Sequence, residues 1–168
     1  MNEAESAIIE QVERVLQDNY VVAPPVGIDE IATNYSFELV EADFKDYGGK
    51  ISGFIDGDSI FINEKDSEER QAIGVAILLG RYILNKDKIT TDGSLNVLRR
   101  VPIGEMETPI EKESMFFAAH LLIPESLLEK YKDENLHTLA RIFGVPDDFM
   151  GYRLQLEYGA EGAQKKYA

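Results

Sequence analysis

Few residues in this chain are of a type that does chemistry. There is no cysteine among the 168 residues. Disulfides, thiolate metal sites and cysteine nucleophiles are therefore excluded, and metal ligands must come from carboxylates or from His120 and His137. His120 follows Glu111 and Glu113 in the run Glu111-Lys112-Glu113-Ser114-Met115-Phe116-Phe117-Ala118-Ala119-His120, while His137 sits apart in Asn135-Leu136-His137-Thr138-Leu139. Zinc takes three or four ligands at defined spacing, and two scattered histidines are more often packing or surface residues than ligands. Neither belongs to an H-E-x-x-H, and no G-x-S-x-G, P-loop or Rossmann glycine pattern is present. One cation stands out. Arg81 lies on the apolar stripe that runs from Ile73 through Ile77 to Leu84, where a guanidinium needs a carboxylate partner or a route to water along the helix.

The elements that position these residues follow from periodicity. Ile8, Ile9, Val12, Val15 and Leu16 recur at helical spacing over residues 3–18, and Ala23-Pro24-Pro25-Val26 stops that helix. A short helix near 28–35 leads to a strand from Phe37 to Val40. Ile51 to Ile55 and Ser59 to Asn63 flank Asp56-Gly57-Asp58 as a hairpin. The helix over 68–84, Glu-Glu-Arg-Gln-Ala-Ile-Gly-Val-Ala-Ile-Leu-Leu-Gly-Arg-Tyr-Ile-Leu, has Asp66 and Glu69 at capping-box spacing and acidic residues in its first turn. Thr108-Pro109-Ile110-Glu111 opens another helix with an N-cap hydroxyl, proline at N1 and glutamate at N3. This second helix is apolar over most of its circumference and ends at Pro124. Glu111 is either a capping-box residue alone or, as head of the apolar row Met115, Ala118, Leu122, a side chain that leans toward the core. The order predicts an α+β fold in one domain over 1–168, a small antiparallel sheet packed on a core of helices.

The C-terminal part, Leu136, Leu139, Ala140, Ile142, Phe143-Gly144-Val145 and Arg153-Leu154, reads as helix, tight turn and helix. Within 134–157 this pair resembles a helix-turn-helix fragment. From Lys130 to Ala168 six lysines and arginines face six aspartates and glutamates, so no basic footprint supports DNA binding and two packing helices are expected. The tail 159–168 is expected to fray.

Several of these segments together carry a family resemblance. Pro24-Pro25-Val26 with the short helix, Ile51-Ser52-Gly53-Phe54, Ile62-Asn63, Arg70, Ala76 to Leu84, and Glu111 through Pro124 resemble the ImmA/IrrE family of zinc metallopeptidases, over roughly residues 20–156. The resemblance implies a zincin-like fold and a regulatory peptidase that cuts phage-type or stress-response repressors. It also implies an active helix of the form A-H-E-L-G-H-Y-L-L. In such a motif two imidazoles at i and i+4 bind Zn²⁺ from one face, and the glutamate polarises the bound water. Here Ile77, Leu78 and Arg81 stand where the resemblance places the first histidine, the general base and the second histidine, while Ala76, Leu79, Gly80, Tyr82 and Leu84 keep the scaffold. Glu111, with Glu113 as the nearby alternative, keeps a ligand atom at the third-ligand position. No catalytic residue, metal or cofactor is therefore expected. Arg81 is expected to pair with Glu111 or Glu113 in place of a metal bridge, with Ile77 and Leu78 filling the former cleft.

Charge bounds the partners. A net charge of −14 repels phosphate backbones, so a direct nucleic-acid partner is not expected; the charge serves solubility first, and a basic protein surface fits it better than a phosphate backbone does. There is no long apolar run for a membrane span, and the start Met1-Asn2-Glu3-Ala4-Glu5 has no basic, apolar leader, so a cytoplasmic protein is expected. The expected function is that of a catalytically inactive ImmA/IrrE-like protein that binds a repressor, such as a helix-turn-helix protein, as a regulator. Its alternatives are an atypical zinc metallopeptidase using Glu111, Glu113 and His120, and an acidic decoy of a nucleic-acid-binding protein.

Overall fold

The computed structural model describes residues 1–86 and 96–168. Helix α1, Glu3–Asp18, starts at a reciprocal capping box between Asn2 and Glu5 and buries Ile8, Val12 and Val15. Helix α2 (Ile28–Asn34) buries Ile28, Ile31 and Ala32 and leads into strand β1 (Glu38–Ala42). Strands β2 (Ile51–Asp56) and β3 (Ser59–Asn63) form the expected hairpin about Gly57-Asp58, with Gly57 in the left-handed region at φ +57°. The sheet has the order β1-β3-β2-β4, where β4 is Val97–Arg99.

The sheet is mixed, not purely antiparallel as expected. Strand β1 pairs parallel with β3 while β2 pairs antiparallel with β3 and β4. The chain leaves β1, passes a 3₁₀ turn at Lys45–Tyr47 and runs through β2, so β3 returns in the direction of β1 and pairs with it along the edge that β2 leaves open. Short, irregular β4, whose register with β2 shifts between Ile51 and Gly53, carries no period-2 pattern long enough to be read in sequence.

Helix α3 (Glu68–Leu84) is the central element. Its N-cap is Ser67, whose Oγ accepts from the Arg70 N–H, and not Asp66, which is occupied elsewhere. Every residue from Ile73 to Arg81 is buried, so the helix is covered all round rather than along one stripe. Two glycines permit that enclosure. A Cβ at Gly53 would lie 2.6 Å from the Phe61 carbonyl oxygen and 3.2 Å from Leu78 Cδ1; one at Gly80 would lie 2.6 Å from Phe117 Cδ1. The sheet thus closes on Leu78 from one side, and helix α4 (Pro109–Leu122) closes on Gly80 from the other.

Helix α4 opens with the expected Thr108/Glu111 capping box and packs between α3 and α1. Beyond α5 (Glu125–Leu128), helices α6 (Leu136–Phe143) and α7 (Asp147–Gln164) bury Leu139, Phe143, Phe149, Met150 and Leu154 against the core. The tail expected to fray is helical. The chain kinks at Gly159 (φ 71°, ψ 173°), continues to Gln164 with Ala163 buried, and ends in a 3₁₀ turn, Lys165–Tyr167.

Candidate functional site

The three positions of interest on α3 face different surroundings. Leu78 is fully buried beneath Gly53 of β2. Ile77, 4% exposed, forms the floor of a cleft of about 390 Å³ together with Ile73, Leu98 and Met115. Arg81 is 3% exposed, so its head group does not reach bulk water. Its Nη1 donates to the Val97 carbonyl at 2.7 Å and its Nε to Ser114 Oγ at 3.4 Å, so α3 is tied both to β4 and to α4. The Ser114 hydroxyl in turn donates to the Ile110 carbonyl at 2.7 Å. Burial pulls the Arg81 pKa down; Glu111 nearby raises it and Arg99 lowers it.

Glu111 is buried and accepts at both oxygens. Oε1 takes the Nε and Nη2 of Arg99 at 3.0 and 2.6 Å, and Oε2 takes the backbone N–H of Glu107 and Thr108 at 2.9 and 3.2 Å. Burial alone would push its carboxyl upward, but the two backbone donors and the Arg99 guanidinium outweigh it and bring the pKa to about 2. Among the described residues the ion-pair partner on Glu111 is Arg99, where the sequence pointed to Arg81. The reason is the capping box. It folds the Glu111 side chain back over the first turn of α4, to where β4 presents Arg99, while Arg81 finds a β4 carbonyl and Ser114 and stays within electrostatic range of Glu111. Glu113 is only partly buried and makes no ion pair among the described residues.

The histidines lie elsewhere. His120 is nine residues beyond Glu111 on α4, about 13 Å along the axis. Its ring rests 4.4 Å from that of Phe116, and burial, with Arg153 nearby, pushes its pKa down to about 3. His137 is exposed and faces Asp147 at 3.1 Å, joining the starts of α6 and α7. Glu111, Glu113 and His120 do not converge. Among the described residues no three histidines, aspartates or glutamates are grouped so as to hold a metal ion. The catalytic zinc implied by the resemblance does not fit this donor set: two of its three helix positions are aliphatic, the third is a cation, and the remaining carboxylate is already held by four donors.

Sequence reasoning missed the groups at the cleft mouth. Arg70 donates to both oxygens of Asp148 at 2.9 and 2.8 Å, and Arg100 to both oxygens of Asp66 at 2.8 and 2.9 Å. In each pair one guanidinium nitrogen, Nη2, is shared between the two carboxylate oxygens, and the pairs join α3 to α7 and the β4 exit to the α3 entrance. The adjacent arginines of Val97-Leu98-Arg99-Arg100-Val101 were the available signal, but their partners are remote in sequence.

A model of the IrrE N-terminal-like domain, a peptidase family, matches residues 32–155. The chain belongs to this family. Its fold is also that of a solved Mycobacterium tuberculosis transcriptional regulator, with a TM-score of 0.62 at 16% identity over 89% of this chain and 46% of that one. The chain thus spans about half the length of that regulator. No protein of curated function matches the sequence. No helix among the described residues is long and apolar enough to cross a membrane.

Proposed function

We propose that this IrrE-like domain is a non-catalytic relative of the metallopeptidases that regulates by binding a protein, with a phage-type or stress-response repressor as the partner. The observation that carries this reading is the filling of the helix positions the motif requires. Ile77 and Leu78 are packed apolar side chains, Arg81 is a buried cation, and Glu111 is committed to Arg99. Among the described residues such a centre has no base to activate water and no ligand set to hold a zinc ion. What remains is a cleft beside β4, apolar at its floor and flanked by the Arg70–Asp148 and Arg100–Asp66 ion pairs, suited to an extended segment of a partner. A regulatory role also fits the family and the fold shared with a protein named as a transcriptional regulator.

Elemental analysis of the purified protein is the direct test. The expected result is zinc far below one atom per chain, before and after incubation with the metal. Stoichiometric zinc would overturn the proposal. Ile103→Asp, at the partly buried cleft rim, is expected to weaken capture of a cognate repressor without cleavage by the parent protein. Cleavage of that repressor would overturn the non-catalytic assignment.

A further inference from the structure

On the opposite end of α4 from Glu111 lies a second groove, of about 380 Å³, between α1 and the start of α5. Its floor is apolar. Ile9, Val12 and Leu16 line it from α1, and Pro124 and His120 from the far side. Ile9 and Leu16 are only partly buried and sit two helical turns apart, about 10 Å. A ridge of side chains from another helix fits that length.

The rim is acidic, with Glu13, Glu125 and Glu129 around the opening. Glu129 is paired with Lys132 at 2.7 Å, whereas Glu13 and Glu125 are exposed and make no ion pair among the described residues. His120 adds no opposing charge, because its burial keeps the ring neutral at ordinary pH. Its Nε2 is buried without a hydrogen-bond partner, a state that costs desolvation. Arg153 beneath is already engaged, to the Ile123 carbonyl at 3.0 Å and to Glu157 at 2.7 Å. A second copy of this chain is a poor occupant, since each copy carries −14.

We infer that the α1/α4/α5 groove is a docking surface for an amphipathic helical segment of a different protein, one that presents an apolar ridge flanked by lysine or arginine. The apolar ridge seats on Ile9, Val12 and Leu16 while the flanking cations meet Glu13 and Glu125. The surface is independent of the cleft over Ile77, so its failure and that of the non-catalytic reading are separately visible.

The test is an amide NMR titration of the full ¹⁵N-labelled chain with a synthetic amphipathic Leu/Lys helix, alongside its Leu/Glu counterpart. Expected are saturable shifts at residues 9–16, at His120 and at residues 125–129, with none from the Leu/Glu peptide. E13K/E125K is expected to weaken the Leu/Lys affinity about tenfold, while E38K/E41K, the same charge change on exposed β1 residues, alters it by less than about twofold. Shifts centred outside the groove, equal weakening by both double variants, or equal binding of the Leu/Glu peptide would each overturn the inference.

Discussion

Replacing Glu111 with glutamine probes the ion pair that joins β4 to α4. The Glu111 carboxyl falls from 4.5 to about 2 in the folded protein. At 1.36 kcal/mol per tenfold change in acidity this corresponds to about 3 kcal/mol of stabilisation at neutral pH. Arg99 is 50% exposed, so solvent screens its share, and about 2 kcal/mol is the better expectation. The sign follows from the depressed folded pKa. The contribution is fully present above the unfolded value and is lost as pH falls from 4.5 through about 2. Glutamine keeps the volume but turns an NH₂ toward one of the two donor pairs, which adds a cost independent of pH. Urea unfolding of parent and Glu111→Gln should therefore show a gap at pH 7 of about 2 kcal/mol or more that narrows by about 1 kcal/mol at pH 3. The other carboxylates titrate in both proteins and cancel in the difference. A gap that stays constant or widens between pH 7 and pH 3 would refute the assignment of Glu111 as a carboxylate held ionised by Arg99 and the cap.

Three further outcomes follow from the packing. Gly80→Ala places a methyl 2.6 Å from a fully buried Phe117 ring and should destabilise by about 1–3 kcal/mol despite the better helix propensity of alanine, as measured by the denaturation midpoint; a stabilised variant would contradict the close approach. His120 is held neutral by burial, with a pKa lowered from 6.5 to about 3, so the unfolded chain binds the extra proton and stability is lost as pH falls through this interval. His120→Leu should remove about 1–2 kcal/mol of that loss between pH 7 and pH 5, and an unchanged pH slope would show that the ring titrates normally. The triple variant Ile77→His, Leu78→Glu, Arg81→His should be less stable than the parent but gain melting temperature with added zinc, whereas the parent does not respond. No zinc response in the triple variant would mean that Arg99 keeps Glu111 from the metal.

Much of the scaffold was legible because it rests on local rules. The Thr108-Pro109-Ile110-Glu111 start, the hairpin about Gly57-Asp58 and the helix over 68–84 are each set by residues within a few positions of one another. The missed features depend on distant partners. Strand β4 has three residues and gains its identity from pairing with β2, so nothing local announces it. Asp66 looked like a cap because of its spacing from Glu69, but Arg100 claims it and Ser67 takes over the cap. The same blindness explains the Arg81 expectation. Helical periodicity placed a cation and a carboxylate on facing stripes, but not Arg99, which arrives from the sheet with better access to the carboxylate.

That third participant changes what the converted centre does for the fold. Three elements meet there, and each is now tied to the others by a polar contact: α3 to β4 through Arg81 and the Val97 carbonyl, α3 to α4 through Arg81 and Ser114, and β4 to α4 through Arg99 and Glu111. Arg81 and Glu111 are buried, so removing one of their partners strands a polar or charged group, whereas Arg99 is half exposed and its charge stays screened by solvent. Replacing a buried polar set with apolar side chains of similar volume is often neutral. The arginines are therefore better understood as fixing the relative placement of the three elements than as adding to stability. The double variant Arg81→Met/Glu111→Gln should lose less stability than the sum of the two single losses, a coupling that a double-mutant cycle reads directly. Additive losses would mean that the two side chains act independently and that the polar contacts at this centre do not work as one unit.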